Sequence, residues 1–432
     1  MRFLYYISLL LLALPASAQE LLTVEDAVKI ALENNYDIRI SKNDLRVDQA
    51  NVTIGNAGIL PSVSANVVDN NGIQNSSQTR SDGTTNKLDN AKNNNLNYGI
   101  GLNWTVFDGF RMFARYDELQ ELQKLGESEL KLTVLNKVSD VMNTYFDLVQ
   151  QQAQLRALDT AIVISQERVT LAQNRFTIGK ASKLEVLNAK VDLNTDETTI
   201  LRQKETYANT KIALNEILAR ESTANFKVID TIIIDSKLEL ADLNALAQKQ
   251  NPQLLAQIIS KRVAELQLKQ VKAARYPTIG VSTGYNFIET QSSLGFTTET
   301  SSRGLTYGFT ASLNLFDGLN QHRTEKIAKI QIENSDLLIQ QQNQAILSQL
   351  ATAYQTYLTN IKLIELEQRN EEIAKENLQI TLDKFKIGNI TTIEVRTAQL
   401  NYVNAKVRNS DAQYQAKLSE IALKELAGNL TF

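Results

Sequence analysis

The residues that most often carry chemistry are scarce in this sequence. It holds one histidine, His322, and no cysteine. Thiolate metal clusters, disulfide frameworks and thiol catalysis are therefore excluded. His322 lies near the start of a predicted long helix and reads as a solvated or wall-packed residue. No H-E-x-x-H or P-loop spacing occurs. Nothing indicates an enzyme, and no cofactor is expected. What does recur is a pair of glutamates, Glu185 in Leu184-Glu185-Val186 and Glu394 in Ile393-Glu394-Val395. Each follows a glycine-marked turn, and a first-turn glutamate is favoured by the helix dipole whether or not it does anything else.

The segments around these glutamates form a duplication. Phe107-Asp108-Gly109 returns as Phe316-Asp317-Gly318, and Arg175-Phe176-Thr177-Ile178-Gly179-Lys180 returns as Lys384-Phe385-Lys386-Ile387-Gly388-Asn389. These pairs and the glutamate pair share one offset of about 210 residues. Leu60-Pro61-Ser62 matches Tyr276-Pro277-Thr278 at a slightly larger offset, so the first copy carries extra residues between its proline and its FDG. Landmarks repeated in one order mark an internal repeat. Each half reads as helix, two strands, very long helix, turn, helix.

The strands show by alternation. Ile279, Val281, Tyr285 and Phe287 alternate with small or polar residues, as do Leu305, Tyr307, Phe309, Ala311, Leu313 and Leu315. In the first half Tyr98, Ile100, Leu102, Trp104 and Val106 do the same, and a weaker strand begins near Ser62 with Val63, Ala65 and Val67 on one face. Strands of about 10 residues match what a tilted strand needs to cross a bilayer. An apolar face opposite a small polar one suits lipid outside and water inside; a sandwich with one solvated face is the alternative. The polar stretches from Asp69 to Leu96 and from Glu289 to Arg303 read as mobile extracellular loops.

After Gly109, and again after Gly318, the chain runs to about Phe176 and Phe385 without a proline. Each run predicts a helix on the order of 100 Å long. Val141, Tyr145, Leu148, Leu155 and Ile162, and in the second copy Leu350, Tyr354, Tyr357, Ile361 and Ile364, follow coiled-coil spacing. The seams are narrow and mixed with polar residues, which predicts a single curved wall of helices wet on both sides. Asp108 and Asp317, each followed by glycine at Gly109 and Gly318, are placed to cap the long helices. Gly179 and Gly388 sit where a helix must reverse. Thr23 with Asp26 predicts a capping box, and Thr231-Ile232-Ile233-Ile234 predicts a short strand in the connector.

The N-terminus has Arg2, an apolar run from Phe3 to Leu14, then Pro15 and Ala16-Ser17-Ala18. This is the pattern of a signal peptide, with cleavage expected after Ala18. An uncleaved anchor is the alternative, but the apolar run is short for a span. The expected organisation is a signal peptide at 1–18, a first repeat at 19–220, a connector at 221–239 and a second repeat at 240–432. The formal net charge of -3, without a basic patch, argues against nucleic acid.

Two copies of strand, FDG, long helix, F-x-I-G, turn and helix behind a signal peptide resemble the TolC-like outer membrane efflux proteins. Trp104-Thr105-Val106-Phe107-Asp108-Gly109 and Leu313-Asn314-Leu315-Phe316-Asp317-Gly318 resemble that family's strand-to-helix signature. The resemblance covers essentially the whole mature chain. It implies a mainly α fold with internal duplication, whose long coiled-coil helices form an α-helical barrel. Each protomer adds four strands to a trimeric transmembrane β-barrel. It implies a homotrimer in outer-membrane lipid, a periplasmic adaptor (membrane fusion protein), and an inner-membrane pump or secretion ATPase. The function implied is a passive exit duct; a secreted coiled-coil scaffold with a small β-domain is the other reading. The resemblance maps an acidic periplasmic gate onto Glu394, with Glu185 and Asn188 as the corresponding positions of the first half. The second acidic position falls on Thr397, which carries no charge. The family's locking tyrosine and arginine fall on Phe385 and Ile390, so that lock is not retained. Ile178, Gly179, Lys180, Ile387, Gly388 and Asn389 would meet the adaptor at the hairpin tips. The cargo is not legible in the sequence.

Overall fold

The computed structural model describes residues 20–293 and 297–430. The expected signal peptide and its cleavage site lie outside them. The described chain runs β1 (Glu20–Leu22), α1 (Val24–Asn34), α2 (Tyr36–Asn51), β2 (Ser62–Thr79), β3 (Thr85–Phe107), α3 (Arg111–Thr177) and α4 (Lys183–Ile217). It continues through β4 (Phe226–Val228), α5 (Leu240–Gln250), α6 (Pro252–Ala273), β5 (Thr278–Ser292), β6 (Glu299–Ser312), α7 (Asn320–Lys386) and α8 (Thr392–Leu426). The two long helices, α3 and α7, have 67 residues each, and the two that follow their turns have 35 each. The duplication is thus repeated in element lengths.

Two compact units cut across the two repeats. One, mainly helical, takes the described residues up to Asn43, Ser128–Leu255 and those from Gln341 on. The other, which holds the sheet, takes Asp44–Glu127 and Ala256–Gln340. Each repeat gives a share to both.

In the sheet unit the four strands lie in the order β2-β3-β5-β6, all antiparallel. Register puts Val67 opposite Tyr98, Tyr98 opposite Phe287, and Phe287 opposite Arg303. One rung away Ile100 faces Tyr285, and Tyr285 faces Leu305. Because side chains alternate across a sheet, these residues share one face. The other face carries Ser64, Asn66, Gly99, Gly101, Asn103, Ser282, Gly284, Asn286, Gly308 and Thr310. A bulge between Thr105 and Phe107 puts Phe107, not Val106, opposite Ile279. The last strand ends at Ser312, short of the predicted Leu315, because its partner begins at Thr278 after Pro277, which has no amide to give.

The polar stretches expected as loops are strands. The ladder between β2 and β3 runs through Asn70, Asn71 and Gly72 opposite Asn95, Asn94 and Asn93. It reaches Thr79 opposite Thr85, broken by one bulge near Asn75. There Asn75 Oδ1 accepts from the Asn90 amide at 2.7 Å. Only residues 80–84 turn, with the Thr84 amide donating to Asp82 at 2.9 Å. Likewise β5 and β6 pair as far as Gln291 and Glu299. Asparagine and aspartate have low strand propensity, but propensity is weak beside a ladder already set in register by the apolar rungs below.

In the helical unit the predicted seam is buried at Val141, Tyr145, Leu148, Leu350 and Tyr357 and only half-buried at Leu155, Ile162, Tyr354, Ile361 and Ile364. Val141, Tyr145 and Leu148 are buried in one cluster with Leu22, Ala27, Val28, Leu214, Phe226 and Ile421. Farther along, the core thins to small clusters such as Ala157, Ala161 and Val403, or Ile164, Leu378 and Tyr402. The connector's short strand is not at Thr231–Ile234. It is Phe226–Val228, paired parallel with Glu20–Leu22. The isoleucine stretch has no ladder; the chain on either side of it is held by side chains instead. The Tyr145 hydroxyl accepts from the Ile229 amide at 3.1 Å, Glu420 accepts from the Asp235 amide at 3.0 Å, and Tyr354 and Tyr357 donate to the Leu238 and Asp235 carbonyls. At the start of α1 the Thr23 hydroxyl accepts from the Asp26 amide and donates to the Asp26 carboxylate, which does not take the Thr23 amide as in a full capping box.

Candidate functional site: the hairpin tips and the charged layer behind them

Both strand-to-helix junctions work as the sequence predicts. The Met112 amide donates to Asp108 at 3.1 Å, and the Gln321 amide donates to Asp317 at 2.7 Å. Gly109 and Gly318 have φ of 73° and 67°. The residues after them, Phe110 and Leu319, are also left-handed, at 66° and 67°, which their types do not announce. Gly109 is required on a second count, because a Cβ there would lie 2.3 Å from the Ala273 carbonyl.

The two hairpin tips are built alike. The Gly179 amide donates to the Phe176 carbonyl at 3.0 Å and the Lys180 amide to the Arg175 carbonyl at 2.8 Å. Gly388 and Asn389 repeat this onto Phe385 and Lys384, both at 3.0 Å. Each is a helix stop with a glycine at φ 74° or 85°. The next helices are capped by Ser182 and Thr391, whose hydroxyls accept from the Glu185 and Glu394 amides. All six tip residues assigned to an adaptor, Ile178, Gly179, Lys180, Ile387, Gly388 and Asn389, are exposed; Ile178 is 66% and Ile387 71% accessible.

The positions that the resemblance maps to a gate differ in what they do within one chain. Glu394 closes a full capping box, accepting from the Thr391 amide at 2.7 Å. That amide, then the Thr391 hydroxyl, hold its carboxyl below the usual range. Glu185 has no such bond; its carboxylate lies 3.8 Å from Arg175. Thr397 is exposed and donates to the Ile393 carbonyl at 3.0 Å, and Asn188 is exposed. Phe385 is buried, with the Arg175 guanidinium 5.5 Å above its ring, and Ile390 is half-buried. Arg175 therefore lies against one of these mapped positions in each hairpin, Glu185 and Phe385.

Sequence reading missed the most charged part of this region. Arg168 on α3, Asp196 on α4, Ser165, Thr392 and Gln399 are buried, and with the half-buried Asp192 on α4 and Arg396 on α8 they form one charged layer. Asp196 takes both ends of the Arg396 fork, at 2.7 and 2.9 Å, and the Ser165 hydroxyl at 2.5 Å. Asp192 takes Arg168 at 2.9 Å. The Gln399 amide donates to the Ala161 carbonyl at 2.8 Å and to Ser165 at 2.9 Å. Burial alone would lower the Arg396 guanidinium; the Asp196 bonds and the charges of Asp196 and Asp192 outweigh it and hold it above its ordinary range. Removing one partner from such a pair costs about 3–5 kcal/mol. The available signal was Asp192 and Asp196 four apart on one helix face, facing Arg168, at a place where the seam would otherwise be apolar.

Among the described residues no cluster of three or more His, Cys, Asp or Glu could hold a metal, and no helix is long and apolar enough to cross a membrane. His322 is exposed. The apolar face of the sheet is open, with Tyr307 and Phe309 at 83% and 78% accessibility.

Known proteins share this fold. The family model described as "Outer membrane efflux protein" matches residues 27–220 and 243–429. The chain is 20% identical to outer membrane efflux protein BepC of Brucella suis over 95% of its own length and 86% of that protein. It is 18% identical to the proteases secretion protein PrtF of Dickeya chrysanthemi, over 97% and 91%. The solved outer-membrane channel OprN superposes with a TM-score of 0.77 at 16% identity, covering 94% of this chain and 90% of that one.

Proposed function

Since the chain belongs to the outer membrane efflux protein family and is an outer-membrane efflux channel, we propose that it works as a homotrimer whose sheets close one water-filled barrel. Three copies of a four-stranded sheet make twelve strands. The observation that carries this reading is the pair of open edges, β2 and β6, on a sheet with a bare apolar face. Unpaired backbone groups in hydrocarbon cost several kcal/mol each. Pairing β2 with a neighbour's β6 removes every edge, and cyclic symmetry does so with identical contacts. The channel hydrolyses nothing. Its energy comes from an inner-membrane pump or secretion ATPase, joined through a periplasmic adaptor that seats on the tips around Ile178–Lys180 and Ile387–Asn389.

The gate reading is narrower. Three copies of Glu394 near a shared axis would attract cations and titrate together. Glu394→Gln is expected to change the cation preference of the purified trimer in planar bilayers; unchanged preference removes Glu394 from the gate. The stoichiometry is tested in native membranes with one cysteine on β2 and one on β6 in this cysteine-free chain. Pairs drawn from Val63 or Val67 on β2 and Leu305, Tyr307 or Phe309 on β6 should oxidise to a ladder that stops at the trimer. A ladder that stops at the dimer, or none across all pairs, contradicts it.

A further inference from the structure

We propose that a cleft between the start of α3 and the end of α6 holds the phosphate headgroup of an anionic glycerophospholipid in the periplasmic leaflet of the outer membrane. Lys269 and Lys272 form its cationic side, and Phe110 and Phe113 its apolar side. The inference rests on the channel reading and adds a lipid ligand to it.

The place follows from the sheet. Phe107 lies opposite Ile279 and so ends the apolar face. From it a row of rings leads onto α3, Phe107 to Phe110 edge-on at 5.2 Å and Phe110 to Phe113 at 6.3 Å. Phe110 and Phe113 are 60% and 55% accessible, and Tyr276 across the cleft is 54%. Rings at this level are common in membrane β-barrels, where hydrocarbon gives way to headgroups. What is particular to this chain is the cleft of about 320 Å³ that they frame with Lys269 and Lys272. The two lysines are three apart on α6 and so share a face. Arg262 on α6 and Arg275 just past it are paired with Glu265 and Glu325. Lys269 and Lys272 have no such pair among the described residues, though Lys272 lends its charge to Glu325 from farther off. Asp117 also lines the cleft, a turn farther from the sheet than Phe113. Against two ammonium groups it leaves the cleft positive.

The duplication supplies an internal comparison. Phe110 and Leu319 share the same left-handed backbone, at φ 66° and 67°. At the offset of the FDG pair, Phe110 and Phe113 match Leu319 and His322. At the offset of the proline pair, Lys269 and Lys272 match Thr53 and Asn56. The second junction thus folds without the rings, and the matching stretch before β2 has no lysine. Of the two junctions, only the one where α3 meets α6 brings rings and cations together, at the foot of the apolar face. The close approach of Gly109 to the Ala273 carbonyl holds the two sides of the cleft in place. A lipid headgroup needs that combination. Ammonium groups meet the phosphate, rings cover the glycerol and the first methylenes, and the lysine stems lie along apolar surface with their heads in the headgroup layer. A soluble anion would have no use for the rings.

Native mass spectrometry of the detergent-purified trimer, incubated with phosphatidylglycerol, tests the site. One retained phosphatidylglycerol per protomer is expected, with phosphatidylcholine held far more weakly; equal retention of the two overturns the proposal. Lys269→Gln/Lys272→Gln should weaken retention about thirtyfold. Lys326→Gln/Lys329→Gln removes two exposed lysines of the same spacing on α7 and should leave retention unchanged. An equal loss from both double variants would mean general charge attraction and would overturn the site. Inorganic phosphate in large excess should not displace the lipid; displacement would assign the cleft to a free anion instead. A second readout places the cleft in the bilayer. Phe113→Trp on a Trp104→Phe background should be quenched by lipids spin-labelled near the glycerol end of the acyl chain, and an unquenched signal overturns the proposal. Neither readout needs current. A wild-type trimer that never conducts counts against the channel reading, while the bound lipid still decides this one.

Discussion

Asn35 and Asn251 do one job in both halves. The Asn35 side chain donates to the Ile217 carbonyl at 2.7 Å, closing the end of α4, and accepts from the Asp37 and Ile38 amides, opening α2. Asn251 donates to the Leu426 carbonyl at 2.8 Å and accepts from Gln253 and Leu254. Asn251→Ala should cost about 1 kcal/mol as a lost cap, seen as a lower unfolding midpoint by far-UV circular dichroism. Just past α4, Ala219 sits at φ 51°, where the second repeat has Gly428 at 76°. Ala219→Gly should stabilise by about 1 kcal/mol, because glycine carries no penalty in that region; a drop in stability would show that the methyl matters more. Glu325 is held down to about 2, chiefly by its bond from Arg275. A lowered carboxyl contributes stability that is complete above its ordinary pKa and lost as pH falls toward 2. With Arg275→Gln that contribution should be missing at neutral pH, so stability should fall less between the ordinary carboxyl pKa and 2. Trp104, the only tryptophan and in the same unit as this pair, reports it by fluorescence.

At the scale of elements, alternation and proline-free runs made the apolar strand segments and long helices legible, because both signals are periodic over many residues. The polar parts of β2 and β3 were not legible. Asn93, Asn94 and Asn95 look like loop residues, and what makes them a strand is a register inherited from Tyr98 and Ile100. The hairpin should therefore tolerate an inserted epitope only after Gly83, in the tip. Antibody binding to intact cells with the trimer preserved is the expected result, whereas insertion between Asn94 and Asn95 should abolish the trimer. Gly99 is a second consequence of the ladder. A Cβ there would lie 2.3 Å from the Asn286 side chain and 2.5 Å from the Tyr285 carbonyl. Gly99→Ala should cut the yield of trimer sharply, while Gly101→Ala, with nothing within 4 Å, should not. The helix stops at Gly179 and Gly388 were readable from residue type. The charged layer was not, because its four ions lie on three helices and meet only when the hairpins fold together.

For the molecule as a whole, duplication explains why two unlike regions, a sheet and a set of long helices, are each assembled from both halves of the chain. Among the described residues the chain positions surfaces, an open apolar sheet face and two exposed hairpin tips, which are proposed above to meet lipid and an adaptor. Ile387→Asp places a charge on a tip and should abolish cross-linking to the adaptor while leaving the trimer assembled. The account depends most on the sheet being one third of a water-filled cylinder. Single-channel recording of the detergent-purified mature protein in planar lipid bilayers tests that directly. Discrete, uniform conductance steps from material that runs as a trimer are predicted. A trimer that leaves the bilayer insulating, or a mature chain recovered soluble without detergent, would contradict it.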